Sequence, residues 1–308
     1  MDTPTPQSLS APIKLAAGAA PRSTGRAGAL LRSLRRSPVG VVGLFIVLAV
    51  VSLAVFGPLI TPHNHDIPNL RARFKPPGYS DSQGIYILGT DQLGRDMLSR
   101  VIVGSRVSVL VGVIAVAISG TIGVLLGVLA GFGGGWIDVV VMRVADALLG
   151  IPFIILAIAI SGAVGPGLFT LIFLLGFTGW ESYARITRGE VLVVRALDFV
   201  TAARVIGQRG PMIALRHVVP NVLSSAIVLA ALQVGTTILA ESSLSFLGLG
   251  VQPPNITWGL MLADGRQYIG SAWWMTMFPG IAITITVLGV VFLGDWLRDS
   301  LDPRLRGR

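Results

Sequence analysis

RALDFVTAARVIGQRGPMIALRHVVP, residues 195–220, lies between two long hydrophobic runs, and its reading decides what kind of fold surrounds it. Leu197 to Ile206 favours a helix, and Gly207 suits the left-handed residue just past a helix end. Gly210-Pro211 prevents simple continuation. A second short helix is expected from about Met212 to Val218, stopping near Pro220, where the next apolar run begins. Small Ala202 and Ala203 leave room for a partner surface to come close, and Arg204, Arg209 and Arg216 give the segment a basic rim. Two readings stand: a helix-turn-helix that docks another protein, or an ordinary loop held near anionic headgroups by its arginines.

The composition supplies the setting. Of 308 residues, 53% are hydrophobic and 13% charged, with a mean hydropathy of +0.76. That leaves too little polar material to cover a soluble core of this size, so the chain reads as an all-α polytopic membrane protein. The net charge of +9 would suggest nucleic acid in a soluble protein. Here the arginines stand in tails and loops between apolar runs and read as topology signals, with no nucleic-acid partner. The chain has no cysteine, which excludes disulfides, thiolate zinc sites and cysteine nucleophiles.

Residues 1–37, rich in Ala, Pro, Ser, Thr and Gly at their start, are expected to form a disordered cytoplasmic tail. Arg32, Arg35 and Arg36 precede the first span, which fills 38–60. It is longer than the hydrophobic stretch of a signal peptide. Residues 61–103 are expected to be an ordered external loop, with a turn at Pro76-Pro77-Gly78. Five further spans are expected near 104–130, 139–162, 167–188, 221–247 and 275–297. They make a core over 104–297 whose second external loop is 248–274 and whose cytoplasmic tail is 298–308. The six-span count puts both termini and the 195–220 segment on one side. The six arginines from Arg185 to Arg216 and those at 298, 304, 306 and 308 agree with that side being the cytoplasm. Arg71, Arg73, Lys75, Arg95 and Arg100 make the 61–103 loop a local exception.

Within the spans, Gly123, Gly127 and Gly131 form a stripe on one helical face. It is read as a helix-packing device, with a pore lined by bare backbone as the sharper alternative. Arg143 and Asp146, three apart, are expected to pair with each other. Glu241 is the acidic residue of the 221–247 run and shares a face with Ser245, with Ser242 beside it. A carboxylate there must face the bundle, a partner or a path, so Glu241 and Ser245 are candidates for a gate or path. Trp136, Trp180, Tyr183, Trp273, Trp274 and Trp296 fall near span ends and are expected to form an interfacial aromatic belt. In the 248–274 loop, Pro253-Pro254, Asn255, Trp258, Asp264 and Arg266 form either a lid over the path or a plain external loop. His63 and His65 make either a weak metal site or a solvated surface, the second being expected.

The spacing in the quoted stretch resembles the EAA loop of ABC importer permeases, E-A-A-x3-G-x9-I-x-L-P: Thr201-Ala202-Ala203, Gly207, then His217-Val218-Val219-Pro220. Thr201 stands where that motif has Glu, and His217 where it has Ile. Leu88–Asp96 (LGTDQLGRD), Glu241–Pro254 (ESSLSFLGLGVQPP), Leu293–Asp299 (LGDWLRD) and Leu301–Arg306 (LDPRLR) are similar to elements of the dipeptide, oligopeptide and nickel branch of that family. The resemblance runs over residues 38–306 and is to the C-type permease subunit.

It implies a type I ABC importer permease fold of six transmembrane helices, with Thr201, Ala202, Ala203, Gly207, Arg209 and Pro220 in an ATPase-coupling loop. It implies a B-type permease partner, two ABC ATPase subunits that hold ATP and magnesium, an extracytoplasmic peptide-binding protein, and a bacterial plasma membrane. The cargo it implies is a dipeptide or oligopeptide, with a peptide-like solute or a nickel chelate as the alternative. The chain is expected to bind no cofactor and to catalyse no reaction itself. A phosphate-binding loop needs G-x-x-x-x-G-K-[ST], and Lys14 and Lys75 stand in no such setting. There is no HExxH zinc motif. Arg143, Asp146 and Glu241 are the ionisable groups that keep a self-sufficient secondary transporter as the remaining alternative.

Overall fold

The computed structural model describes residues 33–301, so the expected tails at 1–37 and 298–308 lie outside the described residues except for 33–37 and 298–301. The described residues are mostly helical, with one small hairpin and irregular segments at 61–96 and 247–257. Helix α1, Pro38–Ile60, begins where Ser37 Oγ accepts the Gly40 amide, a serine cap with proline in the first turn. A segment with one short 3₁₀ turn and strands β1 (Tyr79–Asp81) and β2 (Gly84–Tyr86) follows. Helix α2, Met97–Gly133, starts at Asp96, whose carboxylate accepts from the Ser99 amide and hydroxyl at 2.9 and 2.6 Å.

Four helices are long and apolar enough to cross a membrane: α1, α2, α8 (Gly210–Phe246) and α10 (Trp274–Leu301). The run expected at 139–162 is two helices, α3 (Gly135–Gly150) and α4 (Phe153–Val164), bent by 90° and together long enough for a fifth crossing. Pro152 stands at the break. It has no N–H for the ladder and drives the residue before it out of the helical region. The run expected at 167–188 is also split, into α5 (Leu168–Thr178) and α6 (Trp180–Val194), with Gly179 between them.

The glycine stripe is a packing surface. A Cβ added at Gly123 would lie 2.4 Å from Trp180 O, and at Gly127 it would lie 2.7 Å from Ala184 O. Helix α2 therefore meets α6 backbone to backbone, the close approach that small residues allow. Trp180 and Tyr183, 4% and 1% exposed, are part of that contact and not of an aromatic belt. Trp274 also departs from the belt: it is 5% exposed, and its Nε1 donates to Thr90 O at 2.9 Å. Trp136 and Trp273 remain exposed. Span-end tryptophans pack inward here because a glycine face or a loop carbonyl lies within their reach.

Candidate functional sites at the two ends of the bundle

The 195–220 segment packs against itself before it can meet anything else. Helix α7, Asp198–Val205, ends as expected: Gly207 has φ +81°, and the amides of Gly207 and Gln208 bond back to Arg204 O and Ala203 O at 3.0 and 3.1 Å. This closes the end of the helix in the left-handed manner that glycine permits. Ala203 is 5% exposed and forms a small core with Val200 and Ile213, backed by Phe132 of α2 and Val194 of α6. It therefore does not face outward, whereas Thr201, Ala202, Arg204 and Arg209 do. The Arg204 guanidinium stacks over Phe132, 5.9 Å from the ring centre. Val205 and Ile206, which the sequence reading did not single out, are 82% and 76% exposed at the tip.

The second short helix does not stop near Pro220. It starts at Gly210 and continues to Phe246 without interruption. The local geometry shows how: between Ala214 and Val218 the turn widens, and the Val219 amide reaches five residues back to Ala214 O. Asn221 Nδ2 then donates to His217 O at 2.7 Å. A wide turn and a side-chain donor together absorb the N–H that proline lacks. His217 is drawn back to the loop by Gln208, with Nε2 and Oε1 3.1 Å apart.

At the other end of α8, Glu241 is wholly buried. Its carboxylate accepts hydroxyls from Ser245 (2.8 Å), Ser242 (3.2 Å) and Ser108 of α2 (3.4 Å). Two of these hydroxyls have a second task. Ser108 Oγ accepts the Trp258 amide and Ser245 Oγ accepts the Val251 amide, at 3.2 and 3.3 Å. One carboxylate thus ties α2 and α8 to the 248–257 segment and to the start of helix α9, Trp258–Gly265, which Thr257 caps. Of the three faces open to Glu241 in the sequence, the bundle is the one it occupies.

The LGTDQLGRD stretch at the same end is a loop wound around Asp91. One carboxylate oxygen of Asp91 accepts the amides of Leu93 and Arg95, at 2.8 and 2.9 Å, and the other accepts Arg95 Nε at 2.7 Å. Thr90 Oγ1 donates to Ala72 O and accepts the Lys75 amide. A Cβ at Gly94, where φ is +76°, would lie 1.8 Å from Asn69 O. Arg100, counted in the sequence as a charge of the 61–103 loop, stands instead in the first turn of α2 and is 3% exposed between Asp91 and Asp264 of α9. Burial pushes the Asp264 carboxyl above its ordinary value, against the pull of Arg100 and Arg95.

Two smaller expectations change. Asp146 pairs with Arg185 of α6 at 2.8 Å, not with Arg143. Arg188, also on α6, grips both oxygens of Asp138. Packing of α3 on α6 supplies forked guanidinium partners that an i,i+3 neighbour on the same helix does not match. His63 is not solvated surface: its ring stacks on Tyr86 at 4.6 Å and its Nδ1 lies 3.6 Å from the Asp96 carboxylate. His65 sits beside Asp66 at 3.2 Å. Among the described residues no group of three His, Cys, Asp or Glu could hold a metal ion.

The chain matches two family models: binding-protein-dependent transport system inner membrane component over residues 123–307, and the N-terminal TM domain of oligopeptide transport permease C over residues 28–77. It is 39% identical over 279 residues to the probable D,D-dipeptide transport system permease protein DdpC of Escherichia coli (strain K12), covering 91% of this chain and 92% of that protein. Against the dipeptide transport system permease protein DppC of Bacillus subtilis (strain 168) the identity is 40%, covering 89% and 85%. Against the oligopeptide transport system permease protein OppC of the same organism it is 38%, covering 90% and 89%. Among solved structures, a chain of the MetNI methionine ABC transporter in inward facing conformations superposes with a TM-score of 0.56 at 20% identity. It covers 67% of this chain and 98% of that one, a likeness of fold.

Proposed function

Since the chain belongs to the family of binding-protein-dependent transport system inner membrane components, we propose that it is the C-type permease subunit of an importer that moves dipeptides or oligopeptides with ATP hydrolysed by other subunits. The observation that carries this reading is the exposed Val205–Ile206 pair at the tip of a loop with its own packed core. Two neighbouring aliphatic side chains held out from an ordered, basic-rimmed loop are a docking feature, because such exposure in a polar segment is costly unless a partner covers it. The partner is an ATPase subunit, on which ATP and magnesium reside. Thr201, Ala202, Gly207 and Arg209 shape the surface around the tip. Ala203 and Pro220 set the posture of the loop, Ala203 through its core and Pro220 through the widened turn.

Helix α8 makes the coupling mechanical. Within its 37 residues, the stretch from Gly210 to Glu241 at 1.5 Å per residue is a rod of about 47 Å from the docking loop to the Glu241 knot. A displacement of the loop by the ATPases therefore reaches Glu241, Ser245 and, through Ser108 and Trp258, helix α9. In this reading the Glu241–Ser245 knot is part of the gate, and α9 with the 248–274 segment is the lid that meets an extracytoplasmic peptide-binding protein. The two membrane states exchange by rocking against a B-type permease. The 61–103 segment is external, and the termini and the 195–220 loop face the cytoplasm of a bacterial cell, whose plasma membrane holds the complex.

The test is Ile206→Asp in the reconstituted transporter. A charge at the tip should leave membrane insertion unchanged and abolish both ATPase retention on the membrane and peptide uptake. Retention and uptake at wild-type levels would overturn the docking assignment. The orientation is checked independently with an impermeant thiol reagent on intact cells. Ser80→Cys should react, and Thr201→Cys should react only after lysis. The opposite pattern would invert the topology.

A further inference from the structure

Where the 88–96 loop meets α2, α9 and α10, a small cavity is lined by Asp91, Gln92, Arg100 and Asp264 together with three methionines. Arg100 is a 97%-buried cation, since its exposure is 3%, yet its ion contacts are long. Nε lies 3.5 Å from Asp91 Oδ2, and Nη2 lies 3.7 Å from Asp264 Oδ2. Both are beyond the 2.7–3.2 Å of a direct N–H···O bond. The oxygens of Asp91 are already committed to Leu93, Arg95 and the Arg95 side chain. Arg100 Nη1 and Gln92 Oε1 are buried with no hydrogen-bond partner among the described residues. One is a donor and the other an acceptor, and both line the same cavity. A buried donor without an acceptor costs about 1–3 kcal/mol, more for a charged group.

The size of the cavity selects the ligand. Measured to the centre of a water-sized sphere its volume is about 10 Å³, close to the room that one water molecule needs. A peptide terminus or a hydrated ion does not fit.

We propose that this cavity binds one water molecule, which accepts from Arg100 Nη1 and donates to Gln92 Oε1, and that the hydrated Arg100 is the positioning residue for the far end of α9. The two ends of α9 are then fastened differently. At its start, Trp258 donates directly to Val101 O at 2.8 Å and to Ser108 Oγ at 3.2 Å. At its end, Asp264 meets α2 across the longer Arg100 contact, and the Gln92 side chain of the 88–96 loop hydrogen-bonds its carboxylate. The helix is pinned at Trp258 and held at Asp264 by a joint that can lengthen without leaving a bare charge, because the water keeps Arg100 solvated.

The three methionines, Met97, Met261 and Met275, are 2%, 2% and 1% exposed and report on the cavity without any label. The full chain in lipid nanodiscs is exposed to millisecond X-ray radiolysis, which makes hydroxyl radicals from bound as well as bulk water, and sulfoxides are counted at each methionine. In a parallel sample, hydrogen peroxide reaches only side chains open to solvent. The expected result is that radiolysis oxidises the three buried methionines and peroxide spares them, while Met212, 54% exposed, reacts with both. Gln92→Leu, at a half-buried position, removes the acceptor and should lower radiolytic oxidation of the three several-fold with Met212 unchanged.

Three buried methionines silent to radiolysis would mean a dry cavity and overturn the proposal. Oxidation by peroxide would mean an open pocket, and unchanged radiolysis in Gln92→Leu would mean that water is not held there; either overturns it equally. The positioning role is read by hydrogen exchange in Arg100→Lys, which keeps the charge and loses the fork. Exchange should quicken about tenfold over Met261–Gly265 and stay unchanged at the start of α9. Uniform quickening along α2 and α9 would assign Arg100 a general packing role and reject the joint. None of these readouts depends on transport, so they stand or fall apart from the functional reading.

Discussion

At the 195–210 end of the bundle, Val205 and Ile206 are 82% and 76% exposed, while at the 61–96 end Thr90, Asp91, Asp96 and Arg100 are all 3% exposed or less. The first region turns apolar groups outward from a loop with a minimal core, and the second turns charges inward and ties most of their polar atoms to its own chain. Burying charges in this way costs desolvation that only dense hydrogen bonding offsets, so the second region is specified tightly by its own chain. The first region leaves two neighbouring aliphatic groups uncovered by its own chain, the feature on which the proposed docking reading rests. In the proposed reading one end is held mainly by its own chain and the other is completed by a partner, with α8 joining them.

The two ends should differ most in their response at two glycines that both have positive φ. Gly94→Ala should be the most damaging single substitution. It places a methyl 1.8 Å from Asn69 O at φ +76°, in a loop with no slack, and should cost more than about 4 kcal/mol. The expected outcome is loss of folded protein in detergent, read as the yield of monodisperse material and the midpoint of thermal unfolding. A stable Gly94→Ala protein would show that the 88–96 loop can move and would remove the contrast between the ends.

Gly207→Val comes next. The φ there is +81°, but a Cβ meets nothing within 4 Å, so the penalty is the backbone strain of a β-branched residue, on the order of 1–3 kcal/mol. A strained turn redirects Val205 and Ile206 and leaves the bundle intact. The protein should insert and melt within a few degrees of wild type, with peptide uptake reduced tenfold or more. Normal uptake would mean that the tip is not held by this turn.

These two glycines also mark how much was legible in the sequence. The end of α7 was, because a helix followed by glycine is closed by bonds between residues three to five apart. Four of the apolar runs are single helices long enough to cross a membrane, but the breaks within 139–162 and 167–188 were not legible. Pro152 inside an apolar stretch bends the chain by 90°, and nothing in the hydropathy of 139–162 changes there. Pro220 misled in the opposite sense. Proline ordinarily ends a helix, and here a widened turn and Asn221 carry the helix past it. Glu241 was visible as an unusual charge, but its partner Ser108 lies 133 residues away, and no local pattern encodes that distance. The aromatic belt and glycine-stripe contacts use the same letters at span ends, so Trp180 and Tyr183 were open to misreading until α2 and α6 were seen together.

The smallest effect is expected at Glu241. Its carboxylate accepts hydroxyls from Ser245, Ser242 and Ser108, with Thr257 also beside it, and no ionic partner faces it among the described residues, so the knot is held by hydrogen bonds and not by charge pairing. In Glu241→Gln the amide oxygen still accepts from Ser245, and the new NH2 needs an acceptor, which a serine hydroxyl becomes by rotating. One or two bonds weaken and none is left empty, a loss of about 1 kcal/mol. Glu241→Ala instead leaves a void and strips the acceptor from Ser242, Ser245 and Ser108, each buried, and should cost about 3 kcal/mol or more. The measurement is the thermal midpoint of the two proteins beside uptake in the assembled transporter. Glu241→Gln should stay close to wild type in both, and Glu241→Ala should fall in both. If Glu241→Gln lost uptake while its midpoint held, the negative charge itself would be at work on a passing cation. The 61–96 end would then be partner-dependent as well, since only a second permease or a substrate could bring that cation to a carboxylate this chain buries completely.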